Sequence, residues 1–125
     1  MLYIMRHGKT DWNIQRKLQG RTDIPLNEEG RQMAKQARED YLNIPIDICY
    51  CSPLIRARET AELVLQGRNI PIVCDDRLIE MGFGIYEGTA NCEDIPACPV
   101  GVLFRHPEQY IARDGAESMQ ELWER

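Results

Sequence analysis

In IDICYCSPLIRARETA, residues 46–61, a strand pattern runs directly into a helix pattern. Ile46 to Cys51 alternates and uses β-branched or small side chains, which suits a strand. Ser52 then offers a capping hydroxyl, and Pro53 takes the first helical position. Leu54, Ala57, Ala61 and Val64 recur on one face, and Gly67 supplies the stop. A helix N-terminus at a strand's carboxyl end attracts anions through its free N–H groups and macrodipole. Arg56 falls one turn into this helix, near enough to reach over the same place. The alternative for Arg56 is a solvated helix arginine, which is the reading for Arg58.

Working outward, Leu2 to Met5 is a short apolar run suited to a buried strand. Thr10 to Leu18 reads as a short helix or an irregular loop, and Gly20 to Pro25 as a loop. Asn27 is a good N-cap with Glu28 and Glu29 behind it, and Met33, Ala34, Ala37 and Tyr41 carry a helix to about Leu42. Pro45 breaks it. Downstream, Ile70–Cys74 and Arg77–Ile79 are strand candidates. Residues 82–101, rich in Gly, Pro and Cys, read as a loop; 107–112 as helical; 118–125 as a helix that has only begun. Strand and helix alternating in this way predict a single α/β domain over residues 1–125, with a mostly parallel sheet.

Composition narrows the function classes. A net charge of −5 with no basic tract argues against nucleic acid as a partner. A few arginines in one cleft can still favour an anionic ligand locally. No apolar run approaches the roughly 20 residues of a membrane span, and the early charges in MLYIMRHGKT do not suit a signal peptide. Of the five cysteines, Cys49, Cys51, Cys74, Cys92 and Cys98, none sits in paired zinc-ligand spacing. Reduced thiols in the cytoplasm, several inside strands, are therefore expected, with no metal and no cofactor.

Two further motifs fall beside predicted strand ends. Arg6-His7-Gly8 follows the first strand, where open α/β sheets bind ligands. The glycine lets backbone approach a ligand, and the arginine supplies a planar fork for phosphate oxygens. The tripeptide alone is a weak signal and by itself favours an incidental exposed histidine. Glu80, after Arg77–Ile79, is either a carboxyl group placed to protonate a leaving alkoxide or a surface carboxylate paired with an arginine.

Taken together, RHGKTDWN (6–13), QGRTDIPLNEEGRQMA (19–34), CSPLIRARETA (51–61), LIEMGFGIYEG (78–88) and DGAESMQELWER (114–125) resemble, in order, the successive blocks of the histidine phosphatase superfamily, the phosphoglycerate mutase-like group. The resemblance implies a three-layer α/β/α fold. It implies that His7 is the nucleophile that becomes phosphohistidine, that Arg6 and Arg56 clamp the transferred phosphoryl group, and that Glu80 is the proton donor. Asn13, Gln19, Gly20 and Thr22 match positions around the substrate phosphate, and Glu117 and Ser118 match a late, mostly structural block. The chemistry is consistent: charge spreads over the phosphoryl oxygens in the transition state, and two arginines can do there what magnesium does in kinases. Histidine as a covalent nucleophile splits one difficult step into two.

The chain also departs from the pattern. Family members carry a second catalytic histidine after the late block; here the only other histidine, His106, precedes it and reads as a surface residue. The sheet is therefore expected to be incomplete at the C-terminus, leaving an unpaired edge and uncovered apolar surface, so that a homodimer, swapped elements or poor solubility would follow. The mutases of the group carry a longer arginine-bearing insertion after the proton donor, whereas residues 81–114 hold only Arg105 and Arg113. That favours a phosphatase acting on a small phosphorylated metabolite, such as a sugar phosphate or α-ribazole phosphate. A mutase, or a non-catalytic phosphate-binding module, is the alternative.

Overall fold

The computed structural model describes residues 1–125, which fold as two compact units: Met1–Asp11 with Asp23–Ile79, and Trp12–Thr22 with Glu80–Arg125. A four-residue helix, α1 (Asp11–Ile14), lies at the junction of their sequences. The first unit contains α2 (Glu28–Asp40), β1 (Cys49–Cys51), α3 (Ile55–Val64) and β2 (Ile72–Cys74). The two strands pair in parallel, Cys49 opposite Ile72, Tyr50 opposite Val73 and Cys51 opposite Cys74, with α3 as the crossover.

Helix α2 forms where its local signals place it. Asn27 accepts the Gly30 N–H at 2.8 Å, and Glu28 and Glu29 occupy the first turn. Its inward face differs from the expected one. Gly30 and Ala34 are buried and Ala37 is half-buried, while Met33 and Tyr41 are exposed. The reason is close approach: a Cβ on Gly8 would stand 2.6 Å from the Gly30 carbonyl oxygen, so two glycines let backbone meet backbone. The core of this unit gathers Ala34, Val64 and Leu65 against Ala37, Ile46, Cys49, Leu63, Ile70 and Ile72.

Helix α3 starts at Ile55 rather than at Ser52-Pro53. Leu54 is extended, Ser52 Oγ accepts only the Leu54 N–H at 3.3 Å, and the first helical N–H, that of Ile55, is taken by Asp23 Oδ1 at 2.8 Å. The cap thus comes from a residue distant in sequence. Gly67, at φ +81°, lies just past the helix end, as read.

Two predicted strands do not form. Leu2 to Met5 is in no strand and is exposed, Leu2 at 83% and Ile4 at 89%. An apolar run becomes a strand only where a ladder partner accepts it, and none pairs with it here. Arg77–Ile79 is replaced by a 3-10 turn, Asp76–Leu78, because Asp75 caps it by accepting the Arg77 N–H at 2.9 Å.

The second unit is built on Leu18, Met81, Phe83, Cys92, Cys98 and Val100, with Tyr86, Leu103, Tyr110 and Leu122 packed around them. Antiparallel bridges join Lys17 to Ala90 and Phe83 to Ala116. At the end of the segment read as a loop, α4 (Pro99–Arg105) begins, with proline in its first turn. The last helix, α5 (Met119–Glu124), carries a capping box between Ser118 and Glu121.

The expectation of five reduced thiols is corrected. Cys92 and Cys98 form a disulfide with Cα atoms 5.8 Å apart, whereas Cys49, Cys51 and Cys74 are free. A spacing of six residues does not announce a bridge; it needs the turn at Cys92–Asp94 that folds the chain back toward Cys98.

Candidate functional site

Of the predicted residues, Arg6, His7 and Arg56 belong to the first unit, and Asn13, Gln19, Gly20, Thr22 and Glu80 to the second. Each set has its own supporting network.

In the first unit His7 is half-buried, and its Nδ1 lies 2.7 Å from the Gly8 carbonyl oxygen. A carbonyl only accepts, so Nδ1 carries the proton and the lone pair of the neutral ring resides on Nε2. The following backbone is anchored on two sides. The Gly8 N–H donates to Thr60 Oγ1 at 3.0 Å, and the Lys9 carbonyl accepts the Asn27 N–H at 3.0 Å, against the start of α2. Thr60 Oγ1 in turn donates to the Arg56 carbonyl at 2.7 Å. One hydroxyl therefore couples the segment bearing His7 to the helical turn bearing Arg56.

Arg56 is 1% exposed, which the solvated-arginine reading did not anticipate. A guanidinium is rarely withdrawn so completely without a structural or chemical reason. Arg58, two residues on, is exposed and pairs with Glu62 at 2.9 Å, the ordinary surface arrangement. Arg6 is exposed.

In the second unit Gln19 and Gly20 are buried, and Gly20 has φ +53°. A Cβ there would overlap the Glu87 carboxylate, so the position suits glycine on two counts. Glu87 accepts the N–H groups of Arg21 (2.9 Å), Thr22 (2.8 Å) and Phe83 (3.0 Å), and the Thr22 hydroxyl. Burial pushes its carboxyl up, but the Thr22 hydroxyl and the three N–H groups outweigh that and hold it below the usual glutamate value. Asn13 is half-buried in α1.

Glu80 is exposed and follows the 3-10 turn rather than a strand. Its Oε1 accepts the Met81 N–H at 2.8 Å, and its carbonyl accepts from Arg21 Nε at 3.3 Å. Nearby, Glu117 is 8% exposed and accepts from Arg125 Nε (2.7 Å), Arg21 (3.0 Å) and the Gly82 N–H (3.2 Å). Arg125 chiefly, with the Gly82 N–H and Arg21, holds the Glu117 carboxyl below its ordinary value against the opposing effect of burial. Glu117 is thus the hub that braces the segment starting at Glu80. Arg21 and Glu87 were not singled out from sequence, although both stand inside the quoted blocks. No cluster of three or more His, Cys, Asp or Glu side chains is arranged to hold a metal, and no helix is long and apolar enough to cross a membrane.

Comparison with known proteins bears on what these residues belong to. The chain is 45% identical over 85 residues, 68% of its length, to the uncharacterized phosphatase PhoE of Bacillus subtilis (strain 168). It is 37% identical over 94 residues, 75% of its length, to the probable phosphoglycerate mutase GpmB of Escherichia coli O1:K1 / APEC. Those matches cover 44% and 43% of the two relatives, so the chain spans less than half the length of either. Among solved structures, YhfR of Bacillus stearothermophilus superposes with a TM-score of 0.84 at 35% identity, over 95% of this chain and 59% of that one. The alpha-ribazole phosphatase of Shigella flexneri gives a TM-score of 0.81 at 27% identity, over 96% of this chain and 60% of that one. With a family model matching residues 2–125 as well, the chain belongs to the histidine phosphatase superfamily (branch 1).

Proposed function

We propose that this chain supplies the nucleophile and phosphate clamp of a metal-independent phosphatase for small phosphomonoesters. The observation that carries the reading is the Gly8–Thr60–Arg56 connection, which ties the His7 segment to a buried arginine through one hydroxyl. With its proton on Nδ1, His7 would attack phosphorus through Nε2, forming the N–P bond as the ester P–O bond breaks. Arg6 and Arg56 would neutralise the charge on the phosphoryl oxygens, Glu80 would protonate the leaving alkoxide, and Asn13, Gln19, Gly20 and Thr22 would contact the substrate. Water attacking phosphohistidine completes a phosphatase cycle.

A mutase reading, in which a substrate hydroxyl replaces that water, is favoured by one observation, the similarity to GpmB. The experiment measures p-nitrophenyl phosphate hydrolysis beside 2,3-bisphosphoglycerate-dependent conversion of 3-phosphoglycerate, in the wild-type chain and in His7→Ala. Hydrolysis that vanishes in His7→Ala supports the phosphatase. Mutase turnover that vanishes in the same variant supports the second reading. Phosphate binding with neither activity leaves a non-catalytic module.

A further inference from the structure

Three cysteines of the first unit are left unused by this chemistry, and two of them face each other. Cys51 and Cys74 are register partners at the carboxyl ends of β1 and β2, with sulfurs 3.8 Å apart. Register partners on adjacent strands stand about 4.8 Å apart at Cα, inside the 4.4–6.8 Å range a disulfide accepts. Their contact shows that both side chains leave the sheet on one face. The sulfurs need approach by only about 1.8 Å to reach bonding distance, near 2.05 Å. The backbone is already tied there, since the Asp75 N–H donates to the Cys51 carbonyl at 2.9 Å.

We propose that Cys51 and Cys74 are an oxidisable dithiol that closes to an intrachain disulfide when the protein meets a small peroxide. The two sulfurs are unequal in access, which sets the order of events. Cys74 is exposed and can be reached by peroxide; Cys51 is buried. Burial first, and then the neighbouring Cys74 sulfur, push the Cys51 thiol up to about 12, so Cys74 rather than Cys51 is the sulfur that meets peroxide first. Arg58 acts electrostatically on both sulfurs.

The Cys74 sulfur, as thiolate, attacks one peroxide oxygen. An S–O bond forms, the O–O bond breaks, and the departing hydroxide is protonated to water, leaving a sulfenic acid. The Cys51 sulfur then attacks the Cys74 sulfur. The S–S bond forms, the S–O bond breaks, and the leaving hydroxide takes the Cys51 proton as a second water. Two thiols lose two electrons in all, and one peroxide is reduced to two waters. The bond would clamp β1 to β2 immediately before the segment leading into α3 and immediately before Asp75.

The test treats the full chain with hydrogen peroxide, blocks remaining thiols by alkylation, digests with trypsin without reduction, and weighs the peptides. Residues 39–56 carry Cys49 and Cys51, and residues 69–77 carry Cys74. The expected product is these two peptides joined within one chain, two hydrogens lighter than their sum, with Cys49 alkylated. The link should persist in Cys49→Ser and vanish in Cys74→Ser. The proposal is overturned if both peptides stay alkylated at peroxide doses that oxidise a free 69–77 peptide. It is equally overturned if Cys74 proceeds to sulfinic acid without a link, if the link runs to Cys49, or if it joins two chains.

Discussion

Replacing Thr60 by valine isolates the connection between the His7 segment and α3. The hydroxyl is 6% exposed as part of its residue, accepts from the Gly8 N–H and donates to the Arg56 carbonyl. Valine keeps the branched shape and removes both bonds. The Arg56 carbonyl retains its ordinary helical partner, so its loss is small. The Gly8 N–H lies in a buried residue and is left without that acceptor, at a cost of about 1–3 kcal/mol. One buried methyl in place of a hydroxyl offsets at most about 0.8 kcal/mol. Taken at the middle of that range, the net expectation is a destabilisation of about 1 kcal/mol in Thr60→Val. Thr60→Ser keeps both bonds, loses one methyl, and should cost about 0.5–1 kcal/mol. Urea titration followed by circular dichroism reads both, as a shift in midpoint at unchanged slope. If Thr60→Val is within about 0.3 kcal/mol of wild type, the hydroxyl does not bind the two segments and the account of how His7 is placed is wrong. On the proposed function, Thr60→Val also loses turnover by up to about 10²-fold, the usual effect of misplacing a reacting group by about 1 Å.

Glu117→Gln should destabilise the second unit, and the effect should depend on pH. The folded carboxyl is depressed chiefly by Arg125, so its stabilisation is complete above the unfolded value, near 4.5, and disappears as pH falls through and below it. A series of urea midpoints from pH 7 to pH 3 should fall more steeply in wild type than in Glu117→Gln; parallel curves would contradict the assignment. Alkylation in denaturant should label three cysteines in the unreduced chain and five after reduction. Cys92→Ser should cost about 2 kcal/mol, the entropy released when a loop this short is no longer closed; labelling of all five thiols without reductant would remove the bridge. Phosphatase activity should survive EDTA, and activity lost on chelation but restored by magnesium or zinc would overturn the two-arginine mechanism.

Sequence by itself determined what is set within a few residues or by the order of motifs. The Asn27 cap with its acidic first turn, the stop at Gly67, the helix beginning at Ser118, the strand–helix–strand order of the first unit and the family all follow from neighbours along the chain. The candidate residues were legible for the same reason, because each stands inside a short block whose order survives any detail of packing. What tertiary structure decided depends on partners far away in sequence. Asp23 caps α3 in place of Ser52, and the approach of Gly8 turns Gly30 and Ala34 of α2 inward while Met33 faces solvent. Leu2 to Met5 has strand chemistry but no ladder, because a strand, unlike a helix, satisfies its backbone only through another segment. The burial of Arg56, the Cys92–Cys98 bridge and the facing sulfurs of Cys51 and Cys74 are likewise meetings in space. Composition and periodicity describe one segment at a time, and such contacts exist only once two segments have been brought together.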